Sequence, residues 1–203
     1  ARITPAHGSN DAREKSRDIG AGPAILVAPF WPPPVSGDFR TVGRAEWEEA
    51  LSLTLLSPVE FIKSVIDGMV DRKWGRIVNI ATGAAKYPAA MRVLSGPPRA
   101  ALVNYTVAVA KQVAQHGVTI NNILPGMHHT DGIRGMFDSQ AEANGTSYDE
   151  EVAKFVKQVR IPVGRFGDAE DMGMFVAMFC SDMAGYATGQ SLVVDGGMGN
   201  SIF

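Results

Sequence analysis

The chain has 203 residues, 45% of them hydrophobic and 20% charged, enough apolar material for one globular unit with its own core. Its 19 basic and 21 acidic side chains leave a formal net charge of -2 with no block of like charge, which argues against nucleic acid or anionic lipid as a partner. The lone Cys180 fits a reducing cytoplasm, the first residues lack a secretory layout, and no run reaches the roughly 18 to 20 apolar residues of a membrane helix.

In chain order, Ala21-Gly22-Pro23 reads as a turn into a first strand over 24–28, followed by the stiff connector Pro32-Pro33-Pro34. An amphipathic helix follows over 45–70, then a strand over 76–81 and a helix over 97–116. Pro97 and Pro98 fit only in the first turn of that helix, which makes Ser95 or Gly96 its N-cap. The remaining elements are a strand over 118–124, a helix over 169–181 and a strand over 191–194. Near-continuous apolar runs such as Ile77-Val78-Asn79-Ile80 suit strands covered on both faces. The alternation predicts an α/β fold, a doubly wound parallel sheet with helices on both sides.

Between the third and fourth strands lies an insert over 127–165 with a polar helix around 148–159. It leaves from a strand's carboxyl end, where open α/β sheets bind ligands, so it reads as a lid or substrate loop over a small-molecule site within a single domain spanning 1–203. A plain surface excursion is the alternative. Phe61, Val65 and Met69 share one helix face and either pack on the sheet or contact another subunit.

Six segments together resemble the short-chain dehydrogenase/reductase family over about 24–197: Glu46-Trp47; Gly75-Arg76-Ile77-Val78-Asn79-Ile80; Arg99-Ala100-Ala101-Leu102; Asn121-Asn122-Ile123-Leu124-Pro125-Gly126; Ile161-Pro162-Val163-Gly164-Arg165-Phe166-Gly167; and Thr188-Gly189-Gln190 leading to Val193-Val194-Asp195-Gly196-Gly197. The resemblance implies a Rossmann-type domain that binds NAD or NADP, passes hydride to or from a carbonyl or alcohol, and assembles as a homodimer or homotetramer through its two long helices. The family's opening strand, Gly-rich turn and helix, whose amides hold the pyrophosphate, have no counterpart ahead of Ala24, since Gly8, Gly20 and Gly22 follow no apolar strand. No metal is expected.

The family's proton donor is a Tyr with a Lys four residues on, aided by a Ser that orients the carbonyl and an Asn that anchors a water relay. A phenol has a pKa of about 10, and a neighbouring ammonium draws it toward neutrality. Aligning on Arg99-Ala100-Ala101-Leu102 puts Ser95 at the Tyr position and Arg99 at the Lys position, with Thr82 at the Ser position and Thr54 at the Asn position. Thr82 keeps a hydroxyl that can bond a carbonyl, whereas Ser95 is far less acidic than a phenol and Arg99 is a permanent cation. Capping is the competing reading of Ser95, and an ion pair or anion contact that of Arg99.

At the cofactor end, the strand-end turn that the family fills with small residues reads Ala28-Pro29-Phe30-Trp31, two aromatics that either fill the pocket or fold onto the core. Pro125, Gly126 and Thr130 match the family's Pro-Gly-x-x-x-Thr, where the Thr contacts the nicotinamide amide. His128 and His129 lie in that loop as candidate general bases, and Lys86-Tyr87 is a candidate displaced pair, although adjacent side chains usually point apart.

Three functions are open to these residues. The first is a non-redox or non-catalytic descendant that keeps the scaffold, with a degraded cofactor site, a relay that no longer supports carbonyl reduction, and a pocket that binds a small molecule or nothing. The second is an active NAD(P)-dependent oxidoreductase with a missing N-terminal segment, whose proton donor has moved to Tyr87 or a histidine. A lyase similar to the halohydrin dehalogenases, which use Ser, Tyr and Arg at these positions, is the third.

Overall fold

The computed structural model describes residues 22–29 and 37–199; Phe30, Trp31, the proline run, Gly8 and Gly20 lie outside them. Gly22 adopts the left-handed conformation (φ +66°) that a turn into the first strand requires. Four strands follow, β1 (Ile25–Pro29), β2 (Gly75–Ile80), β3 (Val118–Pro125) and β4 (Ser191–Val194), in one parallel sheet of order β1-β2-β3-β4. Each matches its expected position to within one residue at either end.

Between β1 and β2 the expected long helix is present as α1 (Arg44–Leu51) and α2 (Ser57–Asp71), joined through a π turn at Ser52–Leu56 in which the Ser57 amide reaches back to the Ser52 carbonyl. Pro58 gives the physical reason: it has no N–H to offer the Thr54 carbonyl four residues back, and its ring crowds that carbonyl, so the helix widens there. Helix α3 (Gly96–Val113) links β2 to β3.

The parallel strands are covered on both faces. On one, Ile62, Val65 and Met69 of α2 and Ala110 of α3 pack on Ile77, Val118 and Ile120. Val65 and Met69 therefore serve the sheet, which settles the two readings of that helix stripe for these residues. On the other face, Phe179 of α6 (Ala169–Cys180) packs with Val78, Ile123 and Ala184.

The insert holds two helices where one was expected. Besides α5 (Tyr148–Val159), which matches, there is α4 (Asp131–Asn144). Its sequence hides it, because Gly132 and Gly135 each lower helix propensity by about 1 kcal/mol relative to Ala. Tertiary packing compensates: Phe137 and Ala141 are buried, and Phe137 makes edge-on ring contacts with Phe155 and Phe166 at 5.5 and 5.4 Å. Among the described residues no helix is long and apolar enough to cross a membrane.

Candidate functional site

The carboxyl ends of β2 and β3 bring the Thr82 turn close to the start of α3, which carries Ser95 and Arg99. Past β2 the chain reaches Thr82, extended and half-buried, which caps the short turn Gly83–Ala85 by accepting from the Ala84 amide at 3.3 Å. A Cβ on Gly83 would stand 3.2 Å from the Pro125 carbonyl oxygen, and one on Gly96 would stand 2.8 Å from that of Ala84. The Thr82 turn, the start of α3 and the end of β3 thus meet at close quarters.

Ser95 occupies the N-cap position of α3, as the two prolines require, but its side chain makes no capping bond. Arg99 Nη1 instead donates to Ser95 Oγ at 2.7 Å and approaches the Ser95 carbonyl oxygen at 3.4 Å. The capping interpretation of the hydroxyl is thereby corrected: its helical backbone (φ -103°, ψ -51°) differs from the extended shape of a side-chain cap, and a guanidinium one turn on takes the oxygen. Both residues are buried, 5% and 3% exposed. Burial, and then the nearby Arg92 cation, pull the Arg99 guanidinium down to about 10, still well above neutrality.

Thr54 is fully buried in the π turn, and its hydroxyl donates to the Ala50 carbonyl at 2.6 Å. This back-bond fixes the side chain against its own helix. The π turn also packs against α3, so the Thr54 and Ser95–Arg99 positions share a neighbourhood. Ala28, near the end of β1, is buried and pairs with Asn79 of β2.

After β3, the Gly126 amide donates to the Val194 carbonyl at 2.9 Å, and a Cβ on Gly126 would come within 2.6 Å of the Asp195 Cβ, so a glycine is needed there. Thr130 is exposed and caps α4 by accepting from the Ile133 amide at 3.3 Å. His128 is buried, with Nδ1 3.3 Å from the Gly126 carbonyl oxygen. His129 Nδ1 lies 2.7 Å from the Tyr148 hydroxyl.

Sequence reasoning missed Tyr148, since nothing in the pattern joins residues 19 positions apart. The Arg134 guanidinium lies 4.4 Å from its ring centroid, while burial pushes the phenol up against the opposing pull of that cation. Lys86 and Tyr87 do not point apart: the ammonium lies 5.7 Å from the Tyr87 ring centroid.

The family model described as enoyl-(acyl carrier protein) reductase matches residues 24–199. This chain belongs to the short-chain dehydrogenase/reductase family. Among its relatives within that family, acetoacetyl-CoA reductase of Cupriavidus necator is 33% identical over 160 residues, covering 79% of this chain and 60% of the relative. The 3-oxoacyl-[acyl-carrier-protein] reductase FabG of Vibrio cholerae is 30% identical over 153 residues, 75% of this chain and 57% of the relative. The chain thus spans under two thirds of the length of these two relatives. In fold it is similar to L-sorbose reductase of Gluconobacter frateurii, solved with NADPH and L-sorbose, at a TM-score of 0.90 and 23% identity, covering 96% of this chain and 73% of that one.

Proposed function

We propose that this short-chain dehydrogenase/reductase keeps the oxidoreductase scaffold but replaces the Ser-Tyr-Lys relay with Thr82, Ser95 and Arg99, and does not carry out ordinary NAD(P)-dependent carbonyl reduction. One observation carries the reading: the buried hydrogen bond of 2.7 Å from Arg99 to Ser95. A proton relay needs a donor acidic enough to trade its proton near neutral pH and a neighbour that favours the deprotonated form. The guanidinium does favour an oxyanion, but an aliphatic hydroxyl lies too far from neutrality to be brought into range, and the buried Arg99 stays a cation at neutral pH. Thr54, with its hydroxyl committed to the Ala50 carbonyl, offers a water chain no amide side chain.

NAD or NADP is the group that family membership suggests, and when bound it supplies or accepts hydride. Ala28, Pro125, Gly126 and Thr130 would face its nicotinamide end. The described residues hold no Gly-rich turn for the pyrophosphate, and no reaction step is assigned to the group. In this reading the insert over 127–165 is the lid of a small-molecule site in a single domain, and the protein is a cytoplasmic homodimer or homotetramer, its stoichiometry testable by light scattering. Calorimetric titration with NADH and NADPH, followed by turnover assays on whichever binds, tests the proposal.

A second reading is an active oxidoreductase with a relocated donor, favoured by the phenol of Tyr148 at 2.7 Å from His129, in the loop that carries Thr130. It predicts nicotinamide-linked turnover that Tyr148→Phe abolishes. The dehalogenase-like lyase finds less support, because the oxygen that would replace its phenol is the one held by Arg99.

A further inference from the structure

Helices α4 and α5 of the insert pack on each other around Phe137, Phe155 and Phe166, and neither has an extensive contact with a strand or with another helix of the described residues. At its base the insert is closed by backbone, the Gly167 amide donating to the Met127 carbonyl at 2.9 Å and the His129 amide to the Gly167 carbonyl at 2.8 Å. Its other attachment is the segment 195–199 that follows β4. There the Asp195 carboxylate accepts from the Gly197 and Gly199 amides at 2.9 and 2.7 Å, one oxygen to each. Gly196 and Gly197 take left-handed conformations (φ +65° and +84°) that fold the segment into a tight turn.

One side of this strap belongs to the insert. The Val163 amide donates to the Gly196 carbonyl at 3.1 Å, a Cβ on Gly197 would stand 3.1 Å from Pro162 Cγ, and Met198 packs on the cluster of Phe137, Val156, Ile161 and Phe166. The other side belongs to the candidate site: a Cβ on Gly199 would overlap the Tyr87 ring, so backbone and ring are in contact. The Tyr87 amide in turn donates to the Gly83 carbonyl at 2.9 Å, within the turn that Thr82 caps. Two charge-assisted hydrogen bonds therefore fix the spacing between Met198, anchored in the insert, and Gly199, under Tyr87. A cavity of about 200 Å3 borders Asp195 and Gly196 together with Met127, Val163 and Phe175, so the strap is not packed on every side and has room to shift.

We propose that the strap is a latch between the insert and the candidate site, with Asp195 as its positioning residue. The carboxylate holds 195–199 in one shape, so that movement of α4 and α5, passed on through Met198, reaches Tyr87 and the turn that Thr82 caps. The proposal rests on the reading of the insert as a lid over a small-molecule site and names what ties the lid to that site. Coupling of this kind is a free energy shared by the two ends, so a disturbance at either one is felt at the other.

The test is amide hydrogen exchange, followed by mass spectrometry, on the 203-residue chain with nothing bound. Tyr87→Ala removes the ring at one end and is expected to speed exchange in α4 and α5 by about two- to thirtyfold. Met198→Ala removes the anchor at the other end and is expected to speed exchange over 82–87 to a similar degree, while β2 and β3 exchange as before. Asp195→Ala is expected to speed both regions, and adding Tyr87→Ala to it to leave α4 and α5 no faster; the two end variants decide the matter alone if the aspartate variant does not fold. An end variant that changes only its own end, an Asp195→Ala effect confined to 195–199, or an equal rise in the sheet overturns the proposal. No cofactor or substrate enters the measurement, so the latch can fail while cofactor binding succeeds, and the reverse.

Discussion

Removing the Ser95 hydroxyl separates two roles for that residue by their energetics. Because the side chain makes no capping bond, Ser95→Ala loses the 2.7 Å bond to Arg99 and nothing at the helix start, while Arg99 keeps its 3.4 Å approach to the Ser95 carbonyl. Hydrogen bonds to charged groups contribute about 1.5 to 3 kcal/mol, so the expected loss is about 2 kcal/mol, or about 4 to 8 °C in Tm for a chain of this size. In an Arg99→Met background, where an unbranched side chain of similar reach fills the space, the donor is gone and the same change should cost under about 0.5 kcal/mol. Urea unfolding followed by circular dichroism, with the m-value checked for constancy, measures the cycle. Equal losses in both backgrounds would refute the pairing and return the hydroxyl to a helix-capping role.

Other consequences follow from the loop and the start of α6. Gly167→Ala would place a Cβ 2.5 Å from the His128 ring, and overpacking of that kind costs about 1 to 3 kcal/mol, measurable by the same unfolding assay. Gly126→Ala meets Asp195 at 2.6 Å and should lower stability similarly while weakening any cofactor binding seen by calorimetry. The Arg165 hydrogen bond, then the Asp168 amide, hold the Asp171 carboxyl down at about 2 against an ordinary 3.8. A depressed acid stabilises the fold above its unfolded pKa and loses that contribution as protons bind, so the stability advantage over Asp171→Asn should be full above about pH 4 and vanish as pH falls toward about 2. An advantage unchanged across that window would show that the ion pair is not responsible.

The sheet was legible because its strands are short β-branched runs bounded by breakers, and the two long helices because their apolar stripes recur at helical spacing. Helix α4 was not, since its stability comes from seating Phe137 and Ala141 among the rings of the insert, a tertiary effect that no local pattern reports. The π turn has a local cause in Pro58, though a proline within a helical pattern signals a disturbance and not its form. At the candidate site, Ser95 and Arg99 were found by position, but their mutual bond was not, because the prolines after Ser95 favoured a capping role that its backbone conformation does not support. The His129–Tyr148 contact spans a helix and two loops, and only the folded insert brings its members within 2.7 Å.

The decisive measurement is absorbance at 340 nm on the purified protein, with a small carbonyl substrate and whichever of NADH or NADPH calorimetry shows to be bound. The expected result is cofactor oxidation no faster than the protein-free control although the cofactor is bound. Sustained oxidation that persists through Tyr87→Phe, Tyr148→Phe, His128→Gln and His129→Gln would contradict it, because the reduced carbonyl's proton would then have to come by way of Ser95 and Arg99.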